Sequence, residues 1–174
     1  FNEYKTIEKI FDRVYNNELV SEIILVDDCS TDGTSDIIDS FTKNNFAKKH
    51  VSIKTYKNKK NIGKGGALRK GFKLATKEVI VIQDADLEYN PDDYSRLILP
   101  IAEGKADVVY GSRFIGGTHR VLFFWHYVGN KFLTLLSNIF SNLNLTDMET
   151  CYKAFKSEII KSINIEEKRF GFEP

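Results

Sequence analysis

Glu22-Ile23-Ile24-Leu25-Val26-Asp27-Asp28 and Val79-Ile80-Val81-Ile82-Gln83-Asp84-Ala85-Asp86 are built alike: a short run rich in Val and Ile, ended by two carboxylates. Such runs read as strands of a parallel sheet buried on both faces. Their polar ends then lie at the carboxyl edge of the sheet, where ligands bind in open α/β folds. One acidic residue at that edge is unremarkable. Two pairs on two strands point to a site for a hard cation and a phosphorylated ligand.

Outward from these strands, strand and helix alternate, as expected for an α/β domain with a mostly parallel sheet flanked by helices. Ile7, Ile10, Phe11 and Val14 sit at helical spacing within Thr6 to Tyr15. Ile37, Ile38 and Phe41 do the same in a helix from Thr34, after turn and cap residues Ser30 to Gly33. Val51 to Tyr56 alternates as a strand, and Ala67 to Ala75 follows a Lys- and Gly-rich loop as a helix. Asn90-Pro91 opens another helix with proline in its first turn. Asp107 to Tyr110 and Tyr152 to Phe155 read as short strands. Val121 to Asn142 reads as a long amphipathic helix whose Val121, Phe124, Trp125, Val128, Phe132, Leu135, Leu136 and Ile139 predict core packing, while the Leu122-Phe123-Phe124-Trp125 run is broad enough to leave part of it exposed.

The 174 residues are 42% hydrophobic and 28% charged, enough for one domain with a sizeable core. A net charge of +1 gives no global field toward nucleic acid or an anionic membrane. Cys29 and Cys151 are far apart and lack metal-ligand spacing, so a reducing compartment is the simpler setting. No run approaches the roughly 18 apolar residues of a spanning helix, and no signal peptide is visible. Phe1 to Tyr4 reads as a loop after a strand, and Phe170 to Pro174 ends without a terminating helix. We therefore expect residues 1–174 to be a single domain, incomplete at both ends.

Asp84, Asp86 and Glu88 offer oxygen ligands of the kind that hold Mg²⁺ or Mn²⁺ together with substrate phosphates, although acidic residues before a helix also make an ordinary solvated turn. Asn61 to Arg69 is a Gly-rich loop entering a helix, suited to an anion through Gly63, Lys64 and the helix N-terminus. It lacks Walker and dinucleotide spacing. Arg113 ends a strand, where a guanidinium can clamp a phosphate or pair with a carboxylate. His119, Arg120, His126 and Lys131 decorate the long helix, and cations beside aromatics also suit a membrane interface. Asp147 and Glu149 follow it. Cys151 has no adjacent base to make it a nucleophile.

Taken in order, Phe1-Asn2-Glu3, Val26 to Thr34, Asn61 to Gly65, Gln83 to Glu88, Gly111 to Phe114 and Thr146 to Thr150 resemble the family 2 glycosyltransferases of the GT-A fold, in the branch of dolichyl- and polyprenyl-phosphate hexose synthases. The resemblance covers almost the whole chain. It implies that Asn2, Glu3, Asp27 and Asp28 hold the nucleobase or ribose of a GDP- or UDP-sugar. Asp84, Ala85 and Asp86 would meet ribose and the diphosphate-bridging Mg²⁺ or Mn²⁺, with Glu88 where some relatives carry Gln. Arg113, and more loosely His126 and Asn130, would meet the lipid phosphate. The reaction would invert the anomeric configuration, at the cytoplasmic face of a membrane in the full-length protein. For a hydroxyl acceptor instead of a phosphate, Glu149 or Asp147 would be the base. A signalling receiver domain fits poorly, because the gap from Asp28 to Asp84 is too long. A non-catalytic nucleotide-binding module is the remaining rival.

Overall fold

A computed structural model of the chain describes residues 1–43, 50–114 and 123–169. Helix α1 (Ile7–Asn16) leads to strand β1 (Glu22–Asp27), helix α2 (Thr34–Lys43) and strand β2 (Ser52–Lys57). Helix α3 (Lys64–Leu74) and strand β3 (Val79–Val81) follow. A 3-10 turn (Pro91–Asp93) then runs into α4 (Tyr94–Ala102), strand β4 (Val108–Tyr110), the long α5 (Phe124–Ser141), β5 (Lys153–Lys156) and α6 (Ser157–Ser162).

β1 and β2 pair in parallel, from Glu22 opposite Ser52 to Asp27 opposite Lys57. The second sheet departs from the expected parallel arrangement. β5 lies between β3 and β4 and runs antiparallel to both, with Val79 opposite Lys156 and Val108 opposite Phe155. An antiparallel middle strand still satisfies the ladder groups of both neighbours. β3 is also shorter than expected, although Ile82 N–H still donates to the Lys153 carbonyl at 2.9 Å.

The α1 and α2 stripes face inward as their periodicity predicts. Ile7, Ile10, Phe11 and Tyr15 of α1 meet Ile38 and Phe41 of α2 and Ile23 of β1, with the Phe11 and Phe41 rings stacked. Tyr94, Leu97 and Ile101 of α4 pack with Tyr89, Tyr152 and Ala154. Asn90 caps as expected, its side chain accepting from Asp92 N–H.

Two expectations about helices also need correction. α3 starts at Lys64 rather than Ala67. Gly63 takes φ +83° to allow this, and a Cβ on Gly65 would fall 2.4 Å from the Glu167 carbonyl oxygen. The stripe on α5 is the second. Phe124, Trp125, Val128, Phe132, Leu135 and Ile139 are exposed, and the buried residues of this helix are Asn130 and Thr134. The helix is packed with its polar face inward. Val121 lies outside the described residues, as do His119 and Arg120.

Candidate active site

The carboxyl ends of the strands converge through polar contacts. Asp28, after β1, accepts from Asn58 Nδ2 at 2.7 Å, Ile62 N–H at 2.9 Å and Gly63 N–H at 2.7 Å. It thereby ties β1 to the loop after β2. Asp27 accepts from the Ser30 and Ser35 hydroxyls and from Ser30 N–H. Burial pulls its pKa upward, but these bonds outweigh burial and hold it below the ordinary range. Both carboxylates, expected to hold the nucleobase or ribose, are engaged by the protein's own turns and loops.

The amino-terminal loop joins the same corner. Asn2 N–H donates to Ser30 Oγ and Asn2 Oδ1 accepts from Thr31 N–H, both at 2.9 Å. Glu3 N–H donates to Thr34 Oγ1, while the Glu3 carboxylate accepts from Thr6. Asn2 and Cys29 both take positive φ, of 59° and 67°. These unusual conformations cluster at the turn that brings the two segments together.

The loop expected to hold an anion through its helix N-terminus spends those N–H groups on the protein itself. Gly65 and Gly66 N–H donate to the carbonyls of Arg169 and Lys168 at 3.2 and 3.1 Å. The helix N-terminus is thus capped by the protein, and Gly63 and Gly65 are required by that close approach. Lys64 does reach the site. Its Nζ lies 2.7 Å from Asp84 Oδ2 and 3.2 Å from Cys151 Sγ. Asp86 accepts from Glu88 N–H at 2.9 Å around Leu87, at φ +65°. Asp86 and Glu88 are exposed, Asp84 half-buried, and Ala85 packs against the α1–α2 core. Among the described residues, no group of three or more His, Cys, Asp or Glu could hold a metal by itself. Asp86 and Glu88 carry exposed carboxylates, oxygen donors of the type that suits Mg²⁺ or Mn²⁺, while Asp84 shares its carboxylate with Lys64.

The second half of the site is one network. Arg113 grips Asp147 through Nε at 2.7 Å and Nη2 at 2.8 Å, and its backbone N–H bonds the same carboxylate. Asn130 Nδ2 donates to Asp147 at 3.2 Å and Glu149 at 2.8 Å. Glu149 is also 3.9 Å from Arg113 Nη2. The Asp147 side chain is fully buried. Burial raises its pKa, but the Arg113 bonds more than compensate and leave it depressed. Arg113 is correspondingly held above its ordinary value, first by its hydrogen bonds to Asp147. Tyr89 accepts from Cys151 N–H, and burial pushes its hydroxyl up to about 12, so it stays protonated.

Asn130 belongs to a row on α5. Thr134 Oγ1 donates to Asn130 Oδ1 and accepts from Met148 N–H. Asn138 exchanges two 2.8 Å bonds with the Leu145 backbone. Thr134 and Asn138 escaped the sequence reading. Their signal was there, since Asn130, Thr134 and Asn138 recur every four residues in an otherwise apolar helix. His126, one turn before Asn130, is exposed with its ring beside Phe123, away from this network.

Residues 1–163 match the model of the family described as "Glycosyl transferase family 2". The chain is 31% identical over 186 residues to an undecaprenyl-phosphate mannosyltransferase of Micrococcus luteus, covering 99% of this chain and 71% of that one. It is 30% identical to a polyprenol monophosphomannose synthase of Mycolicibacterium smegmatis, covering 95% of this chain and 62% of the relative. The fold matches the mannosyltransferase PcManGT of Pyrobaculum calidifontis, solved with GDP-Man and Mn²⁺, at a TM-score of 0.64 and 20% identity, over 93% of this chain and 44% of that one. An α/β GT-A fold with two polar half-sites defines the class, and this chain belongs to glycosyl transferase family 2. It spans roughly two thirds of the length of these two curated relatives.

Proposed function

We propose that this chain is the catalytic part of an inverting, metal-dependent hexosyltransferase. It would move a hexose from a GDP- or UDP-sugar to a polyprenyl or dolichyl phosphate at the cytoplasmic face of a membrane. The carrying observation is the continuity of the segment from Asp147 to Cys151. Asp147 holds Arg113 at one end, and Cys151 touches Lys64, the partner of Asp84, at the other. Two substrates with phosphate groups would thus meet across five residues.

The donor half comprises Asn2, Glu3 and the turns fixed by Asp27 and Asp28, with Lys64 facing the diphosphate. Asp84 and Asp86, with Glu88 as a further oxygen, would hold a Mg²⁺ or Mn²⁺ ion, which when bound would supply charge neutralisation for the departing nucleoside diphosphate. Arg113 remains a cation whose orientation Asp147 sets, and its remaining N–H groups face the acceptor phosphate. A phosphate monoester titrates near about 6, so it is anionic at neutral pH and requires no general base. Its oxygen forms a bond to the anomeric carbon as the bond to the diphosphate oxygen breaks, and the configuration inverts. The accessible Glu149 favours a second reading with a hydroxyl acceptor, in which it takes the hydroxyl proton. Asp147 is excluded from that task by its bonds to Arg113.

The test is calorimetry of UDP and GDP, with Mn²⁺ and then with EDTA, on wild type and Asp86→Ala, followed by transfer assays with polyprenyl phosphate. Metal-dependent binding of one nucleotide, lost in the variant, and sugar transfer to the lipid are the expected results. Binding without transfer to any acceptor would leave a nucleotide-binding module. Transfer to hydroxyls only, abolished by Glu149→Gln, would replace the lipid-phosphate reading.

A further inference from the structure

Lys64 is the first residue of α3, and the helix itself gives its ammonium no reason to stay there. The positive end of the helix dipole lies at this terminus and disfavours a cation. What holds Nζ is Asp84 Oδ2 at 2.7 Å, with Cys151 Sγ at 3.2 Å. A thiol is a weak acceptor, so the carboxylate is the stronger of these two anchors. The side chains of the ion pair are only 20% and 22% exposed, so water screens it less than a surface bridge. The backbone of the same turn is committed elsewhere. The N–H groups of Gly63, Gly65 and Gly66 are spent on Asp28, Arg169 and Lys168. The anion-binding capacity suggested by the Gly-rich loop thus shifts from its backbone to the Lys64 side chain.

We infer that Lys64 is an exchangeable counter-ion, holding the Asp84 carboxylate until a divalent cation enters and then passing to the diphosphate of the nucleotide. This rests on the donor reading above and deepens it, because it couples the two ligands through one side chain. Asp84 Oδ2 has the ammonium at hydrogen-bond distance. A Mg²⁺ ion at about 2.1 Å from the same oxygen would crowd three positive charges around it, so Lys64 has to yield. The exposed carboxylates of Asp86 and Glu88 are reachable from solvent, whereas Asp84 is the half-buried one that Lys64 guards. Lysine suits such a swap, being a compact charge on a flexible stem with rotatable donors. The coupling is reciprocal. The cation frees the ammonium for the phosphate, and the phosphate keeps the ammonium off Asp84, so each ligand tightens the other. Without nucleotide, the displaced ammonium gains no phosphate in return, and the divalent cation binds weakly.

The test has two arms, run on wild type, Lys64→Met, Lys64→Gln and Lys64→Arg. Mn²⁺ alone is titrated by electron paramagnetic resonance of the free ion. GDP and UDP are then titrated by calorimetry at saturating Mn²⁺. The neutral Met and Gln variants should bind Mn²⁺ alone about tenfold more tightly than wild type, since the competing charge is gone. The same variants should bind the nucleotide about tenfold more weakly at saturating Mn²⁺, because the displaced ammonium no longer reaches the diphosphate. Lys64→Arg keeps the charge and should keep the weak Mn²⁺ binding of wild type. A lysine that only supported the fold would not move the two affinities in opposite directions. Neutral variants that bind Mn²⁺ alone no better than wild type, or that lose nothing in nucleotide affinity, would overturn the inference. Failure of both to fold by circular dichroism would overturn it too, by assigning the pair to the framework. The metal-only arm uses no nucleotide. A wild type that takes up neither GDP nor UDP would therefore strike the donor reading, while that arm still decides whether Lys64 withholds Asp84.

Discussion

α1 and α5 are both amphipathic, yet they use their apolar residues in opposite ways. α1 buries Ile7, Ile10 and Phe11 to 4% exposure or less, whereas α5 leaves Phe124, Trp125 and Phe132 above half exposed. α1 is held by area removed from water. α5 is tied by hydrogen bonds between Asn130, Thr134 and Asn138 and the segment from Leu145 to Glu149. Periodicity reports that a stripe exists and where it lies on the helix. It does not report which medium the stripe faces.

The contrast breaks most sharply at Phe11, which stacks on Phe41 at the centre of the α1–α2 core. Phe11→Ala should cost about 3–5 kcal/mol in chemical denaturation. A loss below 1 kcal/mol would mean that α1 is not packed as described.

Asp147→Ala comes next. It leaves Arg113, with a side chain 24% exposed, without its carboxylate. The expected cost is about 2–3 kcal/mol, below that of a fully buried pair because water reaches the guanidinium. The folded pKa of Asp147 is depressed, so its contribution is present above the unfolded value of about 3.9 and is lost as pH falls through the folded one. Acid titration of wild type and variant should therefore show a stability difference that narrows below about pH 4. A constant difference would show that the pair contributes only packing. In transfer assays the same variant should raise the KM for the lipid phosphate far more than that for the sugar nucleotide. Equal changes in both would argue against Arg113 as the acceptor clamp.

The smallest effect is expected on the outer face of α5. Phe132→Ser should alter stability in lipid-free buffer by no more than about 0.5 kcal/mol. A cost comparable to that of Phe11→Ala would show that the stripe is buried in solution, and the two helices would then cease to differ.

Most of the fold was legible because local rules and global packing agree. The run from Glu22 to Asp27 and the Val79–Val81 core of the second run are strands, Asn90 caps with Pro91 behind it, and Thr34 to Phe41 buries Ile38 and Phe41 as its spacing predicts. The site was legible as a set of residue types in chain order. Their partners were not, because Asp28 bonds a loop more than thirty residues away and Arg113 meets Asp147 at a comparable distance.

Sequence alone determined which runs become strands, which helices are amphipathic, and that carboxylates follow the strands, since these depend on neighbours within a turn or two of chain. Tertiary structure decided that β5 enters antiparallel between β3 and β4, that Gly65 serves chain packing, and that α5 turns its polar row inward. Each of these follows from which distant backbone or side-chain group arrives to satisfy a buried donor or acceptor. That pairing is a property of the folded arrangement and carries no periodicity of its own.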